Sequence, residues 1–211
     1  MNRFPRNETL LETFQWRIEQ SSDDIAFKFN DRETTYKEYD QKANRVANGI
    51  IAEGCLPNSR VAVLAKNSDM YAEIMFGSLK SRTALVGLNW RLAAPEVVFV
   101  VNDSESEVLF VGPDFYELVD SIKHEFSHVR QIIAMEDDHD SWQSYESWRD
   151  SFEDTDPKLK GNADDDVIQL YTSGTTGHPK GVRLTNKNIN ASTPMVEETW
   201  GKDWHENSVN F

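Results

Sequence analysis

The sequence predicts an α/β fold in which mostly parallel sheet strands are flanked by helices. Three observations predict it. Short apolar runs rich in valine and isoleucine alternate along the chain with segments whose apolar residues recur at helical spacing. The connections between these segments are short, as they are in parallel sheets that helices cover on both faces. The composition, 38% hydrophobic and 27% charged over 211 residues, is that of an ordinary globular protein with a core.

The first half of the chain carries four predicted helices and three predicted strands. We expect Gly54 to end the second helix, Asn67 or Ser68 to cap the third and Pro95 to open the fourth, because these residue types favour those positions. The helices are predicted over 8–19, 34–54 and 71–79 and from residue 95 onward, and the strands over 24–30, 60–65 and 84–88, with a turn through Asp31.

The second half continues with a strand over 107–112, a helix over 113–124 and a strand over 130–135. Residues 136–166 are crowded with acids and are broken by Pro157 and Gly161. We interpret this stretch as a solvated connector between two subdomains, which would span residues 1–158 and 159–211. Its aromatic residues predict a short helix on the surface of the core: Trp142, Tyr145, Trp148 and Phe152.

The chain ends with a strand over 167–171, a glycine-rich loop, a helix that Thr185 can cap, and residues 208–211, which look like the opening of another strand. With 36 acidic and 22 basic residues the net charge is −14, which repels nucleic acid and anionic lipid, so neither is an expected partner. The single cysteine, Cys55, excludes an internal disulfide. That fact, with no secretory leader and no apolar run of about 18 residues, predicts a cytoplasmic protein without a transmembrane segment.

The loop reads YTSGTTGHPKG, from Tyr171 to Gly181, and combines three glycines, several hydroxyl side chains and one lysine. Glycines let the backbone approach a ligand closely, while hydroxyls, N–H groups and a lysine suit a phosphate chain. The spacing matches neither a Walker A loop nor a dinucleotide fingerprint. A phosphate cradle and a plain structural loop therefore both remain open, and we expect His178 to be a solvent-facing loop residue.

The same loop resembles the phosphate-binding signature of the acyl-adenylate-forming ligases, Thr-Ser-Gly-Thr-Thr-Gly-x-Pro-Lys-Gly, at every fixed position from Thr172 to Gly181. The segments TTYKEYDQKANRVANGI and LNWRLAAPEV are similar to two further segments of that family, and the second favours its AMP-forming acyl-CoA synthetase branch. The resemblance implies the N-terminal part of the large domain of an acyl-CoA synthetase-like fold. Three departures are Arg82 where glycine is common, Gly87 where proline is common, and Asn186 where histidine is frequent.

The resemblance implies a ligase that joins a carboxylic acid, for which we expect a fatty acid, to CoA at the expense of ATP, with an acyl-AMP intermediate. Lys180 would be catalytic by neutralising the departing pyrophosphate, Mg²⁺ would be held through the phosphates, and no metal-ligating residue of this chain is predicted. The resemblance is also compatible with a homodimer. The residues implied to hold ATP are Thr172, Ser173, Gly174, Thr175, Thr176, Gly177 and Lys180.

Later motifs of that family, among them Tyr-Gly-x-Thr-Glu, do not occur in the 211 residues. We therefore expect the first part of a longer protein, and we expect these residues alone to form no acyl-AMP. An adenylation module that loads a carrier protein, and a short non-enzymatic binding module, are the alternatives. We also expect the loop to be mobile without nucleotide, because its glycines make alternative conformations accessible.

Overall fold

The computed structural model describes residues 8–172 and 179–200. Its α-helices are α1 (Leu10–Ser21), α2 (Tyr36–Ala52), α3 (Asp69–Lys80), α4 (Ala94–Asp103), α5 (Tyr116–Ile122), α6 (Tyr145–Asp150) and α7 (Asn186–Trp200). Its strands are β1 (Ile25–Phe29), β2 (Arg32–Thr35), β3 (Arg60–Leu64), β4 (Ala84–Gly87), β5 (Ser106–Val111), β6 (Gln131–Ala134), β7 (Gln143–Ser144), β8 (Asp166–Thr172) and β9 (Lys180–Thr185). In this part of the chain no helix is both long enough and apolar enough to cross a membrane.

Strands β3 to β9 form one sheet in the order β7-β6-β5-β3-β4-β8-β9, and only the β8–β9 pair is antiparallel. β1 and β2 form a separate antiparallel hairpin. The prediction of a mostly parallel sheet flanked by helices is confirmed. Strands β2 and β7 were not predicted because they are short and polar, and the helix predicted over 113–124 is divided into a 3₁₀ turn (Pro113–Phe115), α5 and a second 3₁₀ turn (Lys123–Glu125).

Each face of the sheet buries its own apolar cluster, because side chains alternate along the central strands. Val61 and Val63 of β3 pack on one face with side chains of α2, α3 and α6. Ala62 and Leu64 of the same strand pack on the other face with side chains of α4 and α5. Burying one large aliphatic side chain in this way contributes roughly 1.5–3 kcal/mol relative to leaving it in water.

The helices begin and end at residues that satisfy their free backbone groups. Ser68 accepts a hydrogen bond from the Tyr71 N–H at the start of α3, as predicted. Gly54 follows α2 with a φ of +82°, a conformation that glycine adopts without strain, so the predicted stop is confirmed. Thr185 accepts a hydrogen bond from the Asn188 N–H, 3.3 Å away, and so caps α7 as expected.

The acidic stretch is exposed or half-buried over most of its length, as a solvated connector would be, but it also contributes to the core. The short helix that its aromatics predicted is α6, but Tyr145 and Trp148 lie inside the core with only 1% of their surface exposed. The segment that follows, residues 151–160, is here named the acidic strap. Asn44 and Asn48 of α2 donate hydrogen bonds to its backbone carbonyls, so it is bound along that helix. The subdomain boundary at residues 158/159 falls inside this strap and stays a proposal, while β8 beyond it joins the same sheet through β4.

Candidate functional site

The glycine-rich loop joins two antiparallel strands at one edge of the sheet. Thr172, the last residue of β8, pairs directly with Lys180, the first residue of β9. The loop that we predicted over 172–181 is therefore shorter, because Thr172, Lys180 and Gly181 belong to strands. The expectation that the loop leads directly into a helix is also wrong, since β9 lies between them. The apolar residues of β9 alternate only twice, which is too weak a signal to predict a strand.

The predicted binding residues fall into two groups. Thr172 and Lys180 are in the structure, and both side chains are exposed at the mouth of the hairpin. Ser173, Gly174, Thr175, Thr176 and Gly177, together with His178, lie outside the described residues, as does the predicted mobility of the loop. Residues 208–211, predicted to open a strand, also lie outside them.

The two described ends of the loop lie at the carboxyl edge of the parallel strands. β8 runs parallel to β4, so the segment after Gly87 and the segment after Thr172 leave the sheet at the same edge. Ligands of open α/β sheets bind at that edge. Because side chains alternate along a strand, Thr172 and Lys180 project on the same face as the paired residues Leu170 and Val182, which are 39% and 44% exposed.

The opposite face of β8 carries a polar network centred on Tyr171. The Tyr171 hydroxyl donates a hydrogen bond to Asp103 Oδ2 at 2.6 Å and accepts one from Gln169 Nε2 at 3.0 Å. Burial, followed by the bond to Asp103, raises the pKa of Tyr171 well above its usual value, so the phenol is protonated at neutral pH. The Arg60 guanidinium donates to Gln169 Oε1 at 3.2 Å and pairs with Asp166 at 3.0 Å.

Gly181 is required by this network. A Cβ atom there would lie 2.6 Å from Gln169 Nε2, closer than real Cβ atoms approach their neighbours, and 3.0 Å from Tyr171 Cζ, which is a tight contact. Since Gly181 pairs with Tyr171 across the two strands, the tyrosine ring occupies the space above it. This glycine therefore has a packing role of its own, whatever the loop glycines contact.

A cationic cluster lies at the same carboxyl edge, and the sequence analysis did not identify it. Trp90, 41% exposed, follows β4; the Arg91 guanidinium lies 3.9 Å from its ring centroid and the Lys66 ammonium 6.0 Å away. Lys66 also pairs with Asp114 at 2.7 Å. The signal that could have found the cluster is a tryptophan and an arginine placed directly after a predicted parallel strand.

Within residues 8–172 and 179–200, no group of three or more histidine, cysteine, aspartate or glutamate side chains could hold a metal ion. The described groups at this edge suit phosphates, which can carry a magnesium ion with them. The hydroxyl of Thr172 and the cation of Lys180 suit the phosphates themselves.

Comparison with known proteins shows relatives along nearly the whole chain. A fatty acid–[acyl-carrier-protein] ligase, ScoC of Streptomyces coeruleorubidus, is 37% identical over 95% of this chain and 37% of its own length. The long-chain fatty acid–CoA ligase FadD13 of Mycobacterium tuberculosis is 32% identical over 78% of this chain and 32% of its own. The chain thus spans about a third of the length of these curated relatives.

Among solved structures, the anthranilate CoA ligase AuaEII in complex with anthranoyl-AMP is similar over 93% of this chain and 38% of its own, with a TM-score of 0.83 and 25% identity. The family model described as "AMP-binding enzyme" matches residues 14–210, which include both described ends of the glycine-rich loop and the polar network beneath it. The chain therefore belongs to the AMP-binding enzyme family of adenylate-forming ligases.

Proposed function

We propose that this chain forms the phosphate-binding part of an AMP-forming acid–thiol ligase. The single observation that carries the proposal is the hairpin mouth, where Thr172 and Lys180 face each other at the ends of a TSGTTGHPKG loop on the carboxyl edge of the sheet. In the first half-reaction a carboxylate oxygen attacks the α-phosphorus of ATP, forms an acyl-AMP and releases pyrophosphate. In the second, a thiol sulfur attacks the acyl carbon, and the thioester forms as AMP leaves.

The residues of the chain contribute electrostatics and positioning to the first half-reaction. Residues Thr172 to Gly177 supply hydroxyl and N–H donors to the β- and γ-phosphates, and Lys180 stabilises the charge that gathers on the departing pyrophosphate. Magnesium bound to the phosphates supplies further neutralisation of that charge. A chain with a net charge of −14 gives ATP no general attraction, so its capture depends on these local donors.

CoA is the acceptor that we propose, and the cationic cluster supports it. An exposed indole with two cations near its ring suits a nucleotide, because a base can stack on an indole while cations face phosphates. A carrier protein is the second candidate, and the 37% identity to a ligase that loads a carrier protein favours it. We propose a fatty acid as the acid, since the names of both curated relatives specify one.

The test uses the full-length protein with ATP, magnesium and a panel of fatty and aromatic acids. Acid-dependent exchange of labelled pyrophosphate into ATP is the expected result, followed by thioester formation when CoA is added. Thioester formation on a phosphopantetheinylated carrier protein but not on CoA would select the second candidate. Absence of any acid-dependent exchange, or release of ADP in place of AMP, would overturn the proposal.

We also propose that residues 1–211 alone form no acyl-AMP. When groups that act together in catalysis are missing, each loss lowers the rate by a large factor. The later motifs of the resembled family, among them Tyr-Gly-x-Thr-Glu, are not among these residues. Pyrophosphate release by these 211 residues with ATP, magnesium and the same acids should stay at background. Multiple-turnover release that disappears in Lys180→Ala would contradict this expectation.

A further inference from the structure

The polar network beneath the loop lies where it can control the loop's two ends. Thr172 and Lys180 form the last pair of the β8–β9 ladder, and Tyr171 and Gly181 form the pair before it. The two pairs present their side chains on opposite faces of the sheet. The residues proposed to bind phosphate, Thr172 and Lys180, therefore lie on one face, and the residues that secure the strands lie on the other, although the two pairs are adjacent in sequence.

The secured face is closed by contacts from three elements. Tyr171 donates to Asp103, the last residue of α4, and accepts from Gln169 two residues earlier on β8, while its ring covers Gly181 of β9. Gln169 is only 6% exposed, and Arg60 of β3 holds its oxygen, so its amide nitrogen is directed at the phenol. The phenol thus ties both strands of the hairpin to the body of the sheet.

The position of Asp103 makes the contact specific. A carboxylate at a helix C-terminus is repelled by the helix dipole, and no basic residue lies in the last turn of α4. The hydrogen bond from Tyr171 partly offsets that repulsion at 2.6 Å. Asp103 therefore holds the tyrosine from a helix outside the hairpin.

We propose that Tyr171 is a positioning residue for nucleotide binding, and that Tyr171, Asp103 and Gly181 form a clamp that holds the two ends of the phosphate loop in register. The inference rests on the proposed function, because the ligand of that loop is ATP there. Seven residues separate Thr172 from Lys180, and the closure of such a loop opposes pairing at its ends. The clamp supplies the contacts that keep Lys180 opposite Thr172 before nucleotide arrives.

The test compares four variants of the full-length protein with one control. Tyr171→Phe removes the hydroxyl and should raise the KM for ATP about three- to tenfold, with little change in the KM for the acid. Asp103→Ala should do the same, whereas Asp103→Asn keeps an acceptor oxygen and should restore most of the loss. Gly181→Ala should raise the KM at least as much, since its Cβ displaces the ring.

Tyr116→Phe is the matched control. The Tyr116 hydroxyl shares its proton between the carbonyls of Met135 and Asp137 just after β6, far from β8 in the strand order, so this variant also loses tyrosyl hydrogen bonding. It should lower the melting temperature by a similar amount and leave the KM for ATP unchanged. An equal rise in the KM for ATP in Tyr116→Phe, or an unchanged KM in Tyr171→Phe, would overturn the clamp and leave only a structural role.

A second readout separates this inference from the proposed function. Deuterium uptake of the nucleotide-free protein is measured in peptides that cover β8 and β9, which needs no activity. Tyr171→Phe and Asp103→Ala should increase the uptake there, and Tyr116→Phe should not. If the wild-type protein shows no acid-dependent exchange but these uptake differences appear, the function is wrong and the clamp stands. Equal uptake in all variants would refute the clamp, whatever the enzyme does.

Discussion

Arg82 occupies a left-handed backbone conformation, with a φ of +58°, which is strained for residues other than glycine. Its guanidinium makes two hydrogen bonds of 2.9 Å to the carboxylate of Asp165 just before β8. The ion pair links the α3–β4 turn to the strand that carries the phosphate loop and offsets the strain. This explains how the chain accepts arginine in a backbone conformation that favours glycine. Asn186, the other departure near the loop, accepts from the Leu10 N–H and donates to the Asn162 carbonyl, so it joins α1 and α7.

Lys180→Ala tests the residue on which the proposed chemistry depends most. The side chain is exposed, so its removal should leave the melting temperature unchanged. Loss of the cation that stabilises the leaving pyrophosphate should lower kcat/KM for ATP on the order of 100-fold in pyrophosphate exchange by the full-length protein. Lys187→Ala, an exposed lysine on α7, is the control. Equal activity of the two variants would remove Lys180 from the mechanism.

At the scale of elements, the acidic strap is the least expected part of the fold. Most of its residues are polar or charged, yet its carbonyls accept hydrogen bonds from α2. The Lys80 ammonium beneath it is 1% exposed and pairs with Asp40 and Asp156. Glu73, also 1% exposed, pairs with Lys42 and Arg149 and accepts from the Tyr145 hydroxyl. Buried charges with such partners are stable only while each partner remains, so α2, α3 and α6 depend on one another.

Asn48→Ala tests the attachment of the strap without changing any charge. Asn48 donates to the carbonyls of Glu153 and Thr155 at 2.8 and 2.9 Å, and the loss of both bonds should lower the free energy of unfolding by about 1–2 kcal/mol. Tryptic cleavage after Lys158 should become faster. Asn102→Ala loses comparable bonds to the backbone at Glu125 and Ser127, and it should be destabilised without faster cleavage at Lys158. Cleavage that is equally fast in both variants would show that the strap is not held by α2.

For the whole molecule, the free energy of unfolding should depend on pH. The direction is determined by the aspartates that pair with arginines. Burial alone would raise the pKa values of Asp69 and Asp165, but hydrogen bonds from Arg32 and Arg82 keep both below the usual aspartate value. Arg149 likewise lowers the pKa of Asp150. A group whose pKa is lower in the folded state stabilises the fold above its unfolded pKa and loses that contribution as the pH falls through the folded pKa.

Urea unfolding at several pH values should therefore show a steep loss of stability below about pH 4, where these carboxylates take up protons. Between pH 7 and 5 the stability should change little, because reduced repulsion among the excess acids compensates early protonation. Asp165→Asn should be less stable than the wild type at pH 7 and should lose less stability on acidification. An equal slope below pH 4 in Asp165→Asn and wild type would exclude the Arg82 pair as a source of the dependence.

The sequence by itself determined the local features, because they depend on residues close together in the chain. Apolar periodicity predicted the α/β alternation and most element positions, and residue types at the helix ends predicted Ser68, Gly54 and Thr185. The spacing of TSGTTGHPKG identified the family, which the comparisons show. In the candidate site it predicted that Thr172 to Gly177 and Lys180 bind phosphate, and these roles stay predictions.

Only the tertiary structure decided which distant residues these local features contact. The pairing of β9 with β8, the burial of Tyr145 and Trp148, and the hydrogen bond from Tyr171 to Asp103 depend on the tertiary fold, and the last of these joins residues 68 positions apart. The apolar periodicity of one segment does not predict such long-range contacts, because strand order and helix packing depend on the free energy of the whole chain. Polar segments are the hardest to predict for this reason: the strap and β9 lack an apolar pattern of their own, and partners elsewhere in the fold hold them in place.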